Sequence, residues 1–169
     1  MRQVLSILFA LVLFSSILFA DNVTRHVDAD TGIRLPDGFD AELIYSVPKE
    51  QGSWVAMTFD PEGRLIVSDQ DDKGVFRLTL PEHNNGTVAV ESLSNFPIDT
   101  IDWGKRKVGG ALGFLYAFDS LYMVTMKGFF RIRDTDGDDQ FDDFQLIRQL
   151  QMGYEHSAHS VIKTEDGKA

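Results

Sequence analysis

Two stretches of this chain carry the same grammar in the same order. "WVAMTF" (54–59) has the β-branched and aromatic composition of a strand, and the tight-turn signal "DPEG" (60–63) follows it. "RLIVSD" (64–69) is a second strand, "QDDKG" (70–74) a loop, and "VFRLTL" (75–80) a third strand with alternating character. "PEHNNG" (81–86) marks another turn, and "TVAVESL" (87–93) supplies a fourth strand. From residue 111 the order returns as "ALGFLYAF" (111–118), the turn "DS", "LYMVTM" (121–126), "KGFFRIRD" (127–134) and "FQLIRQL" (144–150). The third strands share Lys-Gly, an aromatic residue and an arginine, Arg77 in one copy and Arg131 in the other. "HSVIKTEDGKA" (159–169) opens a third copy, with "TEDG" where "DPEG" stood. The copies start about 45 to 60 residues apart, the period of a four-stranded β-propeller blade.

The expected fold is therefore all-β. It is a partial β-propeller with one blade at 53–93, a second at 111–150 and the start of a third at 158–169. A plain antiparallel meander with no ring is the alternative, and the repeated third-strand motif favours blades. Two blades and an opening strand do not close a ring of four to eight. The sequence is accordingly expected to be the N-terminal piece of something longer, with missing downstream blades as its partners. Residues 21–52 read as a lead-in, with a Pro-Asp-Gly turn at 36–38 and a short apolar run from Ala41 to Val47.

The first twenty residues, "MRQVLSILFALVLFSSILFA", combine one positive charge, Arg2, with an apolar run to Ala20. That is the form of a secretory signal peptide, with Ala20 at the cleavage position. Leu18 is larger than a processing enzyme usually prefers, so an uncleaved anchor long enough to span a bilayer is the alternative, and a membrane partner is expected only in that case. Without Arg2 the chain carries 15 Lys and Arg against 26 Asp and Glu, a net charge of −11. Such a surface does not suit nucleic acid, whose phosphates need basic contacts. The absence of cysteine excludes disulfides, zinc thiolate sites and a covalent c-type haem motif within this stretch. An exported, cysteine-free chain fits the periplasm or envelope of a bacterium.

Three longer stretches carry a resemblance. "GFDAELIYSVPKEQGSWVAMTFDPEGRLIVSDQDDKGVFRL", "LGFLYAFDSLYMV" and "RIRDTDGDDQFDDFQLIRQLQMGYEHSAHSVI" are similar to the N-terminal propeller of large exported bacterial proteins of the membrane-bound dehydrogenase, or haem-binding-domain, family. That propeller resembles those of soluble quinoprotein glucose/sorbosone dehydrogenases. The resemblance covers about residues 35–168 and implies sugar or alcohol oxidation with pyrroloquinoline quinone (PQQ). It also implies helical repeats and a cytochrome-type domain further along the full-length relatives. It places a catalytic base at His156 or His159, with Glu155 orienting it. A histidine near neutral pKa can take a proton from a sugar hydroxyl as hydride leaves for a quinone. With two blades only, the chain alone is expected to be inactive as a dehydrogenase. The rival expectation is a non-enzymatic envelope propeller that binds a protein or a glycan.

The other chemistry-bearing stretch is "RDTDGDDQFDD" (133–143). Asp134, Asp136 and Asp138 stand at positions 1, 3 and 5 of a calcium-type loop, with the Gln140 backbone carbonyl at 7 and Asp142 at 9. Position 6, which usually needs glycine, is Asp139, a residue better able than most to enter the left-handed region. Position 12 is Gln145 where a bidentate glutamate is usual. The choice is between a weak calcium site and a solvated acidic turn. A zinc site from His156 and His159 lacks further ligands nearby. Trp54, Phe59, Phe76 and Phe118 read as blade core, and the basic stretch "DWGKRKVGG" (102–110) reads as a solvated loop, with contact to an anionic cofactor as the alternative.

Overall fold

The computed structural model describes residues 24–82, 86–93, 96, 101–103, 106–108, 110–150 and 158–165. The described chain is all-β with antiparallel sheets, and its one helical element is a short 3-10 turn, Lys49–Gln51. It forms two compact units that divide after Leu43. Among the described residues no helix is long and apolar enough to cross a membrane. The expected signal segment, residues 1–20, lies outside them.

In the first unit, β1 (Arg25–Val27) pairs antiparallel with β2 (Arg34–Pro36). The Asp28 carboxylate closes the connection by accepting from the backbone N–H of Thr31 at 2.8 Å and of Asp30 at 3.1 Å. The Thr31 N–H, ahead of its hydroxyl, holds the Asp28 carboxyl below its ordinary range. The Pro-Asp-Gly signal forms a turn, closed by Phe39 N–H donating to the Pro36 carbonyl at 3.2 Å. The apolar run at 41–47 forms no strand.

The second unit holds two four-stranded meanders. The first is β3 (Trp54–Phe59), β4 (Leu65–Asp69), β5 (Val75–Thr79) and β6 (Ala89–Leu93), in that spatial order. A short hairpin follows, β7 (Ile101–Trp103) with β8 (Arg106–Val108). It replaces the expected loop at 102–110, because the β-forming Ile101, Trp103 and Val108 outweigh the two lysines and the arginine that disguise the pattern. The second meander is β9 (Ala111–Ala117), β10 (Ser120–Thr125), β11 (Gly128–Arg133) and β12 (Asp143–Gln149), again in sequence order.

The repeat extends to the register. In the first sheet Met57 pairs with Val67, Ala56 with Ser68 and Trp54 with Asp69, which leaves Val55 as a bulge. In the second, Phe114 pairs with Met123, Gly113 with Val124 and Ala111 with Thr125, which leaves Leu112 in the same place. Across the outer strands the row Ile66–Arg77–Glu91 corresponds to Tyr122–Arg131–Gln145.

Alternation gives each sheet two faces. The front face of the first sheet, with Ile66 and Val75, meets the back face of the second, with Phe114, Leu121, Met123, Phe130 and Ile132, in one core. Ala111 and Leu93 join it, and Phe96 sets its ring edge-on to Phe141 and Phe144, centroids 5.6 Å apart in each pair. Each large apolar side chain buried here contributes about 1.5–3 kcal/mol. The back face of the first sheet has its own small cluster, Val67, Phe76 and Leu78, partly covered by Tyr45 stacked on Trp54 at 5.5 Å.

Two of the four aromatics expected in the core are not there. Phe59 is 57% exposed on the uncovered inner end of the first sheet's back face, and Phe118 is 47% exposed. Phe118 and Asp119 have φ of 52° and 50°, so they form the two-residue turn joining β9 and β10, and Phe118 stands at its tip. Phe76 is buried as expected, and Trp54 is partly buried. The opening of the expected third copy forms no strand over 158–165, and residues 166–169 lie outside the described residues.

Candidate functional site: the acidic loop and its arginine clamp

The loop between β11 and β12 is built from its own carboxylates. Asp134 accepts from the backbone N–H of Gly137 at 2.7 Å and of Asp139 at 2.9 Å. Asp138 accepts from Gln140 N–H at 2.9 Å. Asp142 accepts from the N–H of Thr135 at 2.9 Å and its hydroxyl at 2.6 Å. The Thr135 hydroxyl, with its N–H, holds the Asp142 carboxyl below its ordinary range. At the loop's base Arg133 donates to Asp143 at 2.6 and 3.0 Å. These contacts turn the backbone so that Asp139 sits at φ 69°, in the left-handed region.

That turn aims Asp139 at the first sheet. Its carboxylate accepts from Arg64 Nη1 at 2.6 Å and Nη2 at 2.7 Å, a bidentate pair, and from Arg77 Nη1 at 2.8 Å. Arg77 Nη2 also donates to the Asp139 carbonyl at 2.9 Å. Both arginines are anchored from behind. Arg64 Nε donates to Asp60 at 2.7 Å, and Arg77 Nε donates to Glu91. Arg77 is 4% exposed in its side chain, so its charge has left water and depends on these carboxylates. The hydrogen bond from Arg64, ahead of the Arg77 charge, holds the Asp139 carboxyl below its ordinary range. The Asp139 contact likewise raises the Arg64 guanidinium above its own.

A cleft between the sheets is lined by Asp139, Arg64, Arg77 and Asp60 together with Glu62, Tyr116, Asp134 and Phe141. Burial first, then the carboxylates of Glu62, Asp60, Asp119 and Asp134, push the Tyr116 hydroxyl up from its ordinary pKa.

The loop's outer side carries the residues expected to hold a metal. Asp134, Asp136 and Asp138 are brought together, with one carboxylate oxygen of each within 4.8 Å of the others, and all three are exposed. The N–H of Asp138 lowers the Asp136 carboxyl, but the charges of Asp138, Asp142 and Asp134 outweigh it and leave Asp136 raised. Asp142 is not part of this trio, its carboxylate being engaged by Thr135. Gln140 is placed by its N–H on Asp138, and Gln145 lies on β12, where it accepts from Arg131 at 2.7 Å. The trio offers three oxygens where calcium takes six to eight.

Of the expected catalytic residues, Glu155 and His156 lie outside the described residues. His159 is exposed, and its backbone carbonyl lies against Gly113 of β9, where a Cβ would come within 2.0 Å of it. It does not line the cleft. Sequence reasoning missed Arg64, Arg77 and Tyr116. The signal for Arg77 was present as the arginine of the repeated third-strand motif, whereas Arg64 and Tyr116 gave none. Asp69 is a further buried carboxylate, accepting from the N–H of Ser53, Asp71 and Lys73 at 2.6, 2.9 and 3.0 Å, and so it organises the loop between β4 and β5. No family model, curated protein or solved structure matches the chain.

Proposed function

We propose that the two four-stranded sheets are consecutive blades of a β-propeller, and that the chain is the exported N-terminal part of a dehydrogenase-like protein of the haem-binding-domain family. The observation that carries the propeller is the shared register of the sheets, bulge for bulge, with the front of one packed on the back of the next. The dehydrogenase link rests on the sequence resemblance. In that reading the complete ring oxidises a sugar or alcohol with PQQ and passes electrons to a cytochrome-type domain. His156 or His159 serves as the base, oriented by Glu155, and the quinone supplies the hydride chemistry. The described residues hold two four-stranded sheets, and in this reading the loops that clamp the cofactor come from further blades. Orientation is worth about 7–11 kcal/mol of barrier lowering, and its loss leaves the stretch without turnover.

Calcium belongs to the same proposal as a weak ligand of Asp134, Asp136 and Asp138, supported by their convergence within 4.8 Å. A second reading, a non-enzymatic envelope scaffold for a protein or a glycan, is favoured by the engagement of Arg64, Arg77 and Asp139 with one another in the clamp between sheets.

The test is a dye-coupled dehydrogenase assay with sugars and PQQ, run on this chain and on a ring completed by further blades. The expected result is turnover in the complete ring alone, lowered by His156→Ala or His159→Ala. Cofactor-dependent turnover by residues 21–169 alone would overturn the reading that two blades are too few for activity, and no turnover in the complete ring would overturn the dehydrogenase reading. The second outcome would leave the scaffold.

A further inference from the structure

Residues 158–165 form no strand, yet their position is specific. "TEDG" (164–167) aligns with "DPEG" (60–63), so Lys163 takes the place of Phe59, Val161 that of Met57 and Ser160 that of Ala56. The shared register of the two sheets extends the comparison. Ala56 corresponds to Gly113, Met57 to Phe114 and Phe59 to Tyr116. Ala56, Gly113 and Ser160 are all small, which suits a place where one inner strand passes close to the next.

The segment lies against β9 in that register. A Cβ on Gly113 would come within 2.0 Å of the His159 carbonyl oxygen and 3.4 Å of the Ser160 nitrogen, while Ala56 packs on the core that Ala111 and Phe114 of β9 join. Val161, the counterpart of buried Phe114, is the one residue of 158–165 that is not exposed. Ile162 follows it on the opposite side by alternation and is 72% exposed. Tyr116 shares a cleft with Asp60 and Glu62 of the turn after β3. Its counterpart Lys163 places its ammonium 5.0 Å from the ring centroid of Phe118, in the turn after β9. No described residue forms a ladder with 158–163, which is why a seated segment is not a strand.

On the blade reading above, we infer that residues 158–163 are the innermost strand of a third sheet, seated in register on β9 and fastened by Lys163 over Phe118. The second interface then uses a different fastening from the first. In the first, Arg64 of the turn meets a carboxylate of the next sheet. The two-residue turn Phe118–Asp119 has no arginine, so the cation comes from the incoming strand and the turn supplies an aromatic face. That accounts for a phenylalanine held at the tip of a turn. The seating also carries the candidate base His159 to the place of Val55 and Leu112, the bulges of the two inner strands.

Nuclear magnetic resonance on the purified chain reads the seat. The expected result is an upfield ring-current shift of the Lys163 side-chain methylenes, with Overhauser contacts from them to the Phe118 ring and from the Val161 methyls to β9. Phe118→Leu abolishes the Lys163 shift, and Gly113→Ala, which puts a Cβ against the His159 carbonyl, abolishes both the shift and the Val161 contacts. Lys163 resonances at random-coil positions in the folded wild type overturn the seat, and contacts to β9 from Ile162 in place of Val161 overturn the register. A shift that survives Phe118→Leu overturns the fastening. If a variant fails to fold, the wild-type contacts alone decide. The Arg64–Asp139 coupling reports on the first interface only, so a missing Lys163 contact with that coupling intact overturns the third strand and leaves the two stacked blades standing.

Discussion

Asp139 and Arg64 stand 75 residues apart in sequence and meet through two hydrogen bonds of 2.6 and 2.7 Å. One belongs to the loop of the second sheet and the other to the strand-joining turn of the first. The acidic loop thus has two sides. Asp139 faces inward and ties the sheets together, while Asp134, Asp136 and Asp138 crowd together on the exposed side.

The two sides should respond differently to substitution. Asp139→Ala leaves Arg64 and Arg77 short of an acceptor and is expected to cost about 1–2 kcal/mol, discounted for the half-exposed carboxylate. Asp136→Ala relieves like-charge crowding and should change stability by no more than about 0.5 kcal/mol. Urea unfolding of both variants makes the comparison.

Acid should weaken the clamp in a defined direction. The folded-state pKa of Asp139 lies below that of the unfolded chain, so its contribution is fully present above the ordinary carboxylate value of about 3.9 and is lost as pH falls through the lower folded value. Unfolding free energies of the wild type and Asp139→Asn, measured from pH 7 downward, should differ at neutral pH and converge below about pH 4. A difference that persists undiminished in acid would remove the ionised carboxylate from the account.

Much of the architecture was legible because its cues are local. The period-2 alternation, the turn signals and the Lys-Gly-aromatic-Arg repeat located all eight strands of the two sheets to within a few residues. The hairpin at 101–108 was hidden by its charged residues, and Phe118 was misjudged because the turn it occupies is set by two left-handed residues and not by a glycine. The clamp was illegible for a different reason. Nothing in "DPEGR" says which acid its arginine will meet, since that depends on how two sheets pack. The position-6 aspartate was recognised as able to turn the chain, but not as the residue that the turn would aim.

Two glycines mark where backbone passes close to backbone. A Cβ on Gly110, whose φ is 78°, would lie 1.9 Å from the Asp69 carbonyl oxygen, so Gly110→Ala should destabilise the packed sheets by more than about 1 kcal/mol. A Cβ on Gly113 would meet the His159 carbonyl, so Gly113→Ala should release residues 158–163 with a smaller effect on overall stability. Hydrogen exchange read by mass spectrometry separates the two outcomes.

Calcium, if it binds the outer side of the loop, should do so weakly and without disturbing the clamp. Isothermal titration is expected to show one weak site that Asp136→Ala removes and Asp139→Asn spares. A flat titration of the folded wild type would leave the loop as an acidic turn alone.

The most direct test of the account is a double-mutant cycle on Arg64→Ala and Asp139→Ala, measured by equilibrium unfolding. If the acidic loop fastens one sheet to the next, the two changes are non-additive, with a coupling of about 1–2 kcal/mol. Additivity to within about 0.3–0.5 kcal/mol would mean that the two residues do not act together in solution and would contradict the stacking on which the blade reading rests.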